Sequence, residues 1–79
     1  MQLGRGLGTE VTQLVLRYAF EDIALHRVDL RVIEYNQRAI AMYRSCGFVE
    51  EGRERESARA DGVFYDDIIM SVLAPEFRR

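Results

Sequence analysis

Three glycines near the start of the chain, Gly4, Gly6 and Gly8, alternate with other residues in the stretch GRGLGTE and stand directly before an apolar-periodic run. Glycine leaves backbone N–H groups uncovered by a side chain, and the N-terminus of a helix adds about half a positive charge. Amides presented in this way bind anions, most often phosphate. The spacing therefore predicts an anion site where the first helix begins.

Other glycine-rich turns fit less well. A dinucleotide-binding turn has the spacing Gly-x-Gly-x-x-Gly after a strand, whereas here the spacing is Gly-x-Gly-x-Gly and no strand is predicted to precede it. A nucleoside-triphosphate loop needs Gly-Lys-Ser/Thr, which this sequence lacks. An ordinary loop entering a helix stays open, because the glycines alone do not separate it from a phosphate site.

Few other side chains are candidates for chemistry. His26 stands before a strand with no Ser or Cys near it in sequence, and we expect it to pack or cap. The single Cys46 forms no internal disulfide, and one His with one Cys makes no metal set. Tyr43 lies on the apolar face of its helix, so by pattern alone it is a core residue. No metal site is predicted.

Length and charge limit the function classes. A chain of 79 residues with 48% hydrophobic and 30% charged residues forms at most one small globular domain of thin stability. Its 11 basic residues, all arginine, are interspersed with 13 acidic ones, so no basic stripe for nucleic acid is present. No apolar run approaches the roughly 18 residues of a membrane span, and no leader pattern is seen. We therefore expect a cytoplasmic protein.

The first predicted helix runs from Thr9 to about Ala24, with Thr9 or Gly8 as its cap. Apolar residues recur in it at steps of three and four, which predicts one buried face. That face consists of Val11, Leu14, Val15, Tyr18 and Ala19.

A strand and a second helix follow. RVDLRVI, residues 27–33, has the two-residue period of a strand and places Val28, Leu30 and Val32 on its buried face. Asn36 is a good N-cap for a helix that continues to Gly47, which suits the left-handed stop position. Ala39, Ile40 and Tyr43 share one face of this helix.

A hairpin completes the predicted elements. Asp61 and Gly62 separate two strand-like runs, the strongest short signal for a tight turn. The first arm alternates charge at residues 53–56, as expected of an outer strand, and the second places Phe64, Ile68, Met70 and Val72 on one side. Of Asp66 and Asp67, one is expected to point inward, near a cofactor or a dimer contact.

The elements imply an α+β fold in the order helix-strand-helix-strand-strand, with a three-stranded mixed or antiparallel sheet. Strand 27–33 is expected to pair on one side with residues 63–73. Its other side has no candidate partner in this chain. Because an unpaired apolar edge favours association, we expect a second copy, making a homo-oligomer such as a dimer, or an upstream portion to cover it.

The stretch LHRVDLRVIEYNQRAIAMYRSCGFVEEGRERE, together with GRGLGTE and the helix after it, closely resembles the C-terminal half of the GNAT superfamily of acetyl-CoA-dependent N-acetyltransferases. The nearest branch is similar to enzymes that acetylate ribosomal-protein N-termini, spermidine and related amines. The resemblance covers essentially all 79 residues and implies a single partial acetyltransferase domain over 1–79, the acetyl-CoA-binding half. Its most specific part is the spacing of Asn36, Ala39, Tyr43, Gly47 and Phe48.

The resemblance also implies roles for individual residues. In the family, the glycine turn and the following helix hold the coenzyme A pyrophosphate through backbone N–H groups. Tyr43 aligns with the tyrosine that protonates the departing thiolate, and Asn36 with an asparagine near the pantetheine arm. The family usually has Gln or Arg where this chain has Leu3. The implied cofactor residues are Leu3, Gly4, Arg5, Gly6, Leu7, Gly8, Thr9, Asn36 and Arg38.

By the same resemblance, the family's N-terminal half, including the strand that carries the usual base, would precede Met1. No residue of this chain is a clear general base. The leading hypothesis is an acetyl-CoA-dependent N-acetyltransferase, or a truncated fragment of one, that acetylates a primary amine of a small molecule or peptide. A non-catalytic coenzyme A-binding or oligomerisation module and a fragment without an independent role remain open.

Overall fold

A three-stranded antiparallel sheet, in which the last strand of the chain lies between the other two, supports the fold. The computed structural model describes residues 1–3 and 7–78. The strands are β1 (Arg27–Ile33), β2 (Val49–Ala60) and β3 (Val63–Leu73). The helices are α1 (Thr9–Arg17), α2 (Gln37–Ser45) and a short α3 (Ala74–Phe77). The predicted order of elements and the antiparallel sheet are confirmed, and α3 is added.

One face of the sheet forms the core. Val28, Leu30 and Val32 of β1 are at most 4% exposed, which confirms the predicted alternation. On β3, the predicted inward set holds for Ile68, Met70 and Val72 but is wrong for Phe64, which is 55% exposed. Because β1 pairs only with residues 67–73 of β3, Phe64 lies beyond the end of β1, and its ring contacts the Arg59 guanidinium.

The buried face of α1 differs from the predicted one. The helix continues as a π-helical turn over Tyr18–Asp22, and its buried residues are Thr12, Leu16, Ala19 and Phe20.

Of the predicted set, Ala19 is buried and Val15 is half-buried, whereas Val11, Leu14 and Tyr18 are 47, 62 and 53% exposed. The predicted and the observed buried faces differ by one residue along the helix, which is a rotation of about 100° about the helix axis. The face that packs carries Phe20, whose ring is wholly apolar, whereas Tyr18 on the predicted face has a hydroxyl that favours exposure to water, so the amphipathic pattern was misjudged by one position.

The hairpin and the second helix form as predicted. Asp61 and Gly62 both have positive φ, 51° and 78°, as a two-residue turn of this kind requires. β2 is the outer strand, with irregular pairing between Glu54 and Ala58. Gly47 ends α2 at a φ of 103°.

The outer edge of β1 is partly covered by the start of the chain. Gln2 forms an isolated parallel bridge with Asp29. The amide of Leu3 donates to the carbonyl of Asp29 at 2.7 Å, and the amide of Asp29 donates to the carbonyl of Met1 at 2.8 Å. The prediction that this edge has no partner in the chain is therefore wrong as far as Asp29. It was wrong because three residues are too few to show a period. Among the described residues, an isolated bridge and not a strand precedes α1.

The other face of the sheet carries ion pairs. Arg27 binds Glu51 across the sheet, and Ser71 of the central strand donates to Glu51 at 3.0 Å. The hydrogen bonds from Arg27 hold the pKa of Glu51 below its usual value. Arg31 pairs with Glu54. Within residues 1–3 and 7–78, no helix is long and apolar enough to cross a membrane.

The hydroxyl of Thr12 is buried without a hydrogen-bond partner among the described residues. A buried unpaired hydroxyl costs about 1–3 kcal/mol. We therefore expect Thr12→Val to raise the free energy of unfolding by about 1 kcal/mol and Tm by roughly 4–8 °C, measured by calorimetry. The exposed Thr9 of the same helix provides the control, since Thr9→Val should leave Tm nearly unchanged. A lower Tm for Thr12→Val would show that the hydroxyl has a partner.

Candidate coenzyme-binding cleft

A cavity of about 210 Å³ lies between the N-terminus of α1, the end of β1 and the beginning of α2. On β1 it reaches the strand beyond Asp29, where the bridge to residues 1–3 ends. The lining residues are Leu7, Gly8, Arg31, Val32, Ile33, Asn36, Ala39 and Tyr43. We call this cavity the α1–β1–α2 cleft.

The backbone of Arg31 faces the cleft at the outer edge of β1. The N–H and C=O of Asp29 point to the outer edge of β1, because both bond to residues 1–3. Alternation along a strand gives Arg31 the same orientation. Neither backbone group of Arg31 has a backbone hydrogen-bond partner on that edge among the described residues. Within residues 1–3 and 7–78, the cleft is therefore bordered by one backbone donor and one backbone acceptor without a backbone partner.

The N-terminus of α1 reaches the cleft at Gly8. Gly8 is the N-cap of α1 in extended conformation, and no side chain caps this helix end. A Cβ placed on Gly8 would meet no atom within 4 Å, so the space beside it is open. Thr12 makes the first helical hydrogen bond, to the Gly8 carbonyl at 2.9 Å. The amides of the first turn are thus left for a ligand or for water.

Asn36 has the capping role that the sequence predicts. Its side-chain oxygen accepts a hydrogen bond from the amide of Ala39 at 3.2 Å at the start of α2. Both residues line the cleft. One side chain therefore fixes the orientation of α2 and forms part of the cleft surface.

Tyr43 lies one turn further along α2. The residue is 2% exposed, and its ring packs edge-on against Phe48 with the ring centres 5.6 Å apart. It lines the cleft, and no hydrogen bond to its hydroxyl is found among the described residues. The ring is therefore fixed by packing against Phe48.

The cleft brings together only some of the predicted residues. Leu7, Gly8, Asn36 and Tyr43 line it. Leu3 is 9% exposed in the core, and its amide is already bonded to Asp29. Thr9 and Arg38 are exposed and do not line the cleft. Gly4, Arg5 and Gly6 lie outside the described residues.

Sequence reasoning missed four residues of the cleft: Arg31, Val32, Ile33 and Ala39. The strand pattern identified Val32 as a core residue, and nothing in a two-residue period shows which end of a strand borders a ligand. Ala39 belongs to the quoted motif, which was an available signal.

The paired aspartates act in the hairpin instead of the cleft. Asp67 is the buried one, at 3% exposure, on the face of the sheet that carries the ion pairs, and it accepts a hydrogen bond from the Ser57 hydroxyl at 3.0 Å. Asp66 accepts from the Glu56 amide at 2.9 Å, and this hydrogen bond keeps the Asp66 pKa below its usual value. The burial of one aspartate agrees with the prediction, but its side chain lies on the face opposite the core, because residues 67 and 68 of a strand alternate in orientation. Neither aspartate lines the cleft.

The comparisons with known proteins agree with this arrangement. Residues 2–48 match the acetyltransferase (GNAT) family. A probable N-acetyltransferase of Bacillus subtilis is 33% identical over 73 residues, covering 92% of this chain and 40% of that protein. A spermidine N(1)-acetyltransferase of Vibrio cholerae is 32% identical, covering 94% and 43% respectively.

A solved structure extends the likeness to three dimensions. The crystal structure of the Vibrio cholerae spermidine N-acetyltransferase in complex with coenzyme A and spermine has a TM-score of 0.85 and 31% identity, covering 95% of this chain and 44% of that one. The chain belongs to the GNAT acetyltransferase family. It spans about 40% of the length of the curated relatives that it matches.

The Asn36 cap predicts a stability effect in the absence of ligand. Asn36→Ala removes the acceptor for the Ala39 amide, so we expect a loss of about 1 kcal/mol and a Tm lower by roughly 4–8 °C. Asn36→Ser is the matched variant, since serine caps helices equally well, and it should retain most of the stability. If both variants melt like the parent chain, the cap contributes nothing to stability.

Proposed function

We propose that this chain forms the acetyl-CoA-binding part of an N-acetyltransferase that acetylates a primary amine. Members of the GNAT family use acetyl-CoA. The observation that carries the proposal is the α1–β1–α2 cleft, in which the N-terminus of α1 at Gly8, the edge of β1 at Arg31 and the side of α2 with Tyr43 line one cavity.

The diphosphate of coenzyme A fits the N-terminus of α1. The first-turn amides and the helix dipole favour an anion, and the open space beside Gly8 leaves room for phosphate oxygens. Leu7, Gly8 and Thr9 would supply backbone N–H groups. Leu3, Gly4, Arg5 and Gly6 precede them in sequence, and Arg38 is a further cation on the exposed surface of α2; their contacts remain predictions.

The pantetheine arm fits the outer edge of β1. This arm contains two amides. The N–H and C=O of Arg31, which have no backbone partner on this edge among the described residues, would offer it the same hydrogen bonds that a neighbouring strand would. Ile33 and Ala39 give apolar contact on either side. Asn36 stands at the end of this edge and orients α2 above it.

Tyr43 is the proposed general acid. Acetyl-CoA, when bound, supplies an activated thioester. A phenolic hydroxyl held by ring packing against Phe48 can donate its proton to the sulfur that leaves as the amine is acetylated. In the described lining, no other group carries a transferable proton on a hydroxyl, thiol, imidazole or carboxyl group.

The acceptor is proposed to be a primary amine of a small molecule or peptide, and polyamines head the list because relatives are named spermidine acetyltransferases. The general base for that amine must come from outside the lining described here, which contains no carboxylate or imidazole. We also infer a cytoplasmic location, with Cys46 as a free thiol.

The same missing base supports a second candidate, a module that binds coenzyme A without catalysis. The described lining of the cleft contains a proposed acid, Tyr43, but no base. We therefore predict that the chain binds coenzyme A even if it does not catalyse acetyl transfer. Binding and turnover must therefore be measured separately.

Gly8→Asp tests binding at the helix N-terminus. Aspartate is a better N-cap than glycine by a few tenths of a kcal/mol, so the variant should melt no lower than the parent. Its carboxylate would occupy the first-turn amides and repel the diphosphate, so the affinity for coenzyme A should fall at least about tenfold by calorimetric titration. Gly8→Ser, which caps without charge, is the control and should retain more of the affinity. Equal affinity in all three would contradict this site.

Tyr43→Phe tests the acid. With acetyl-CoA and a panel of primary amines including spermidine, turnover by the parent chain separates the enzyme from the binding module. If turnover occurs, Tyr43→Phe should lower kcat by about 10²-fold or more while KM for acetyl-CoA changes little. Unchanged kcat in Tyr43→Phe would remove Tyr43 from the chemistry. Thermal shift by coenzyme A confirms that the variant still binds.

A further inference from the structure

An apolar stripe runs along the exposed side of α1. Val11, Leu14 and Tyr18 are 47, 62 and 53% exposed. Their spacing of three and then four residues is the a-d-a spacing of a coiled coil, which places them in one line on the helix surface. None of them belongs to the cleft or to the core, so the proposed function does not use them.

A depression beside this stripe has the form that receives a side chain from a facing helix. Glu10, Gln13, Leu14 and Arg17 line a cavity of about 260 Å³. In coiled-coil packing, each apolar knob enters a hole made by four residues of the opposite helix. The positions i, i+3, i+4 and i+7 of this cavity are those of such a hole, next to the knobs of the same helix.

The charges beside the stripe determine the orientation of a partner. Glu10 lies in the first turn of α1 and Arg17 in its last turn, and neither forms an ion pair among the described residues. In an antiparallel pair of α1 helices, Glu10 of each copy faces Arg17 of the other, which gives two ion pairs. In a parallel pair, Glu10 faces Glu10 and Arg17 faces Arg17, and such like-charge pairs are unfavourable.

We infer that α1 is a self-association surface, through which two copies of this chain pair antiparallel about a two-fold axis beside Gln13 and Leu14. The stripe is complementary to itself in shape, through the knob and the hole, and in charge, through Glu10 and Arg17. A two-fold pair uses the same surface on both copies and closes without further growth. This inference is independent of the proposed function, since the surface lies apart from the cleft.

The contact is small, so the dimer should be reversible. Interfaces that bury less than roughly 1,200 Å² in total are usually weak. Three apolar side chains per copy bury less than this area. We expect sedimentation to show a shift from monomer to dimer within about 10 μM to 1 mM.

Leu14→Glu tests the apolar contact. Placing a charge at the centre of the stripe should weaken dimerisation at least about tenfold, while circular dichroism stays unchanged because Leu14 is exposed in the monomer. Val63→Glu is the matched control: Val63 is 50% exposed on the hairpin, and its replacement should leave the dimer fraction as it was.

A charge exchange tests the orientation. Glu10→Arg and Arg17→Glu, each alone, should weaken the dimer several-fold, and the two together should restore it to within about threefold. The double variant places a positive charge in the first turn of α1 and a negative charge in its last turn, and both interact unfavourably with the helix dipole. Recovery of the dimer would therefore not come from a more stable helix.

Three results would overturn the inference: a monomer at every concentration up to 1 mM, a dimer insensitive to Leu14→Glu, or a double variant no better than either single one.

Discussion

The hydrogen-bonded junction between Leu3 and Asp29 is the constraint on which the rest of the site depends. It holds the start of the chain parallel to β1 over only a few residues. Beyond Asp29, neither backbone group of Arg31 has a backbone partner on that edge among the described residues. The helix N-terminus at Gly8 and this strand edge share one cavity. A helix N-terminus and a strand edge are each common in proteins. Because they lie side by side in this cleft, it suits a long ligand with a charged end.

The sheet supplies the rigidity that this arrangement needs. On the core face, Leu30 and Met70 are both fully buried. The opposite face is tied across the strands by Arg27 with Glu51 and by Arg31 with Glu54. Because Arg31 is held by its side chain on one face, its backbone groups stay in place at the cleft. Ion pairs this exposed add little stability, so their contribution is chiefly to orient β1.

Local signals predicted most of the fold. The alternation in β1, the Asn36 cap, the Gly47 stop and the Asp61-Gly62 turn each depend on chemistry within a few residues, and each is confirmed. The errors arose from tertiary context. Phe64 is exposed because β1 ends before it, and the α1 face was misjudged because several apolar residues border both faces. Motif resemblance identified Gly8, Asn36 and Tyr43, whereas Arg31 enters the cleft through its backbone, which no residue type reveals.

Amide chemical shifts in the presence of coenzyme A test the central claim most directly, because they report each backbone group separately. If the diphosphate lies at the start of α1 and the pantetheine arm along β1, titration should shift the amides of Gly8, Thr9 and Arg31 most and leave the hairpin amides of Asp61 and Gly62 unchanged. Shifts concentrated on the hairpin, or none at saturating ligand, would contradict the account.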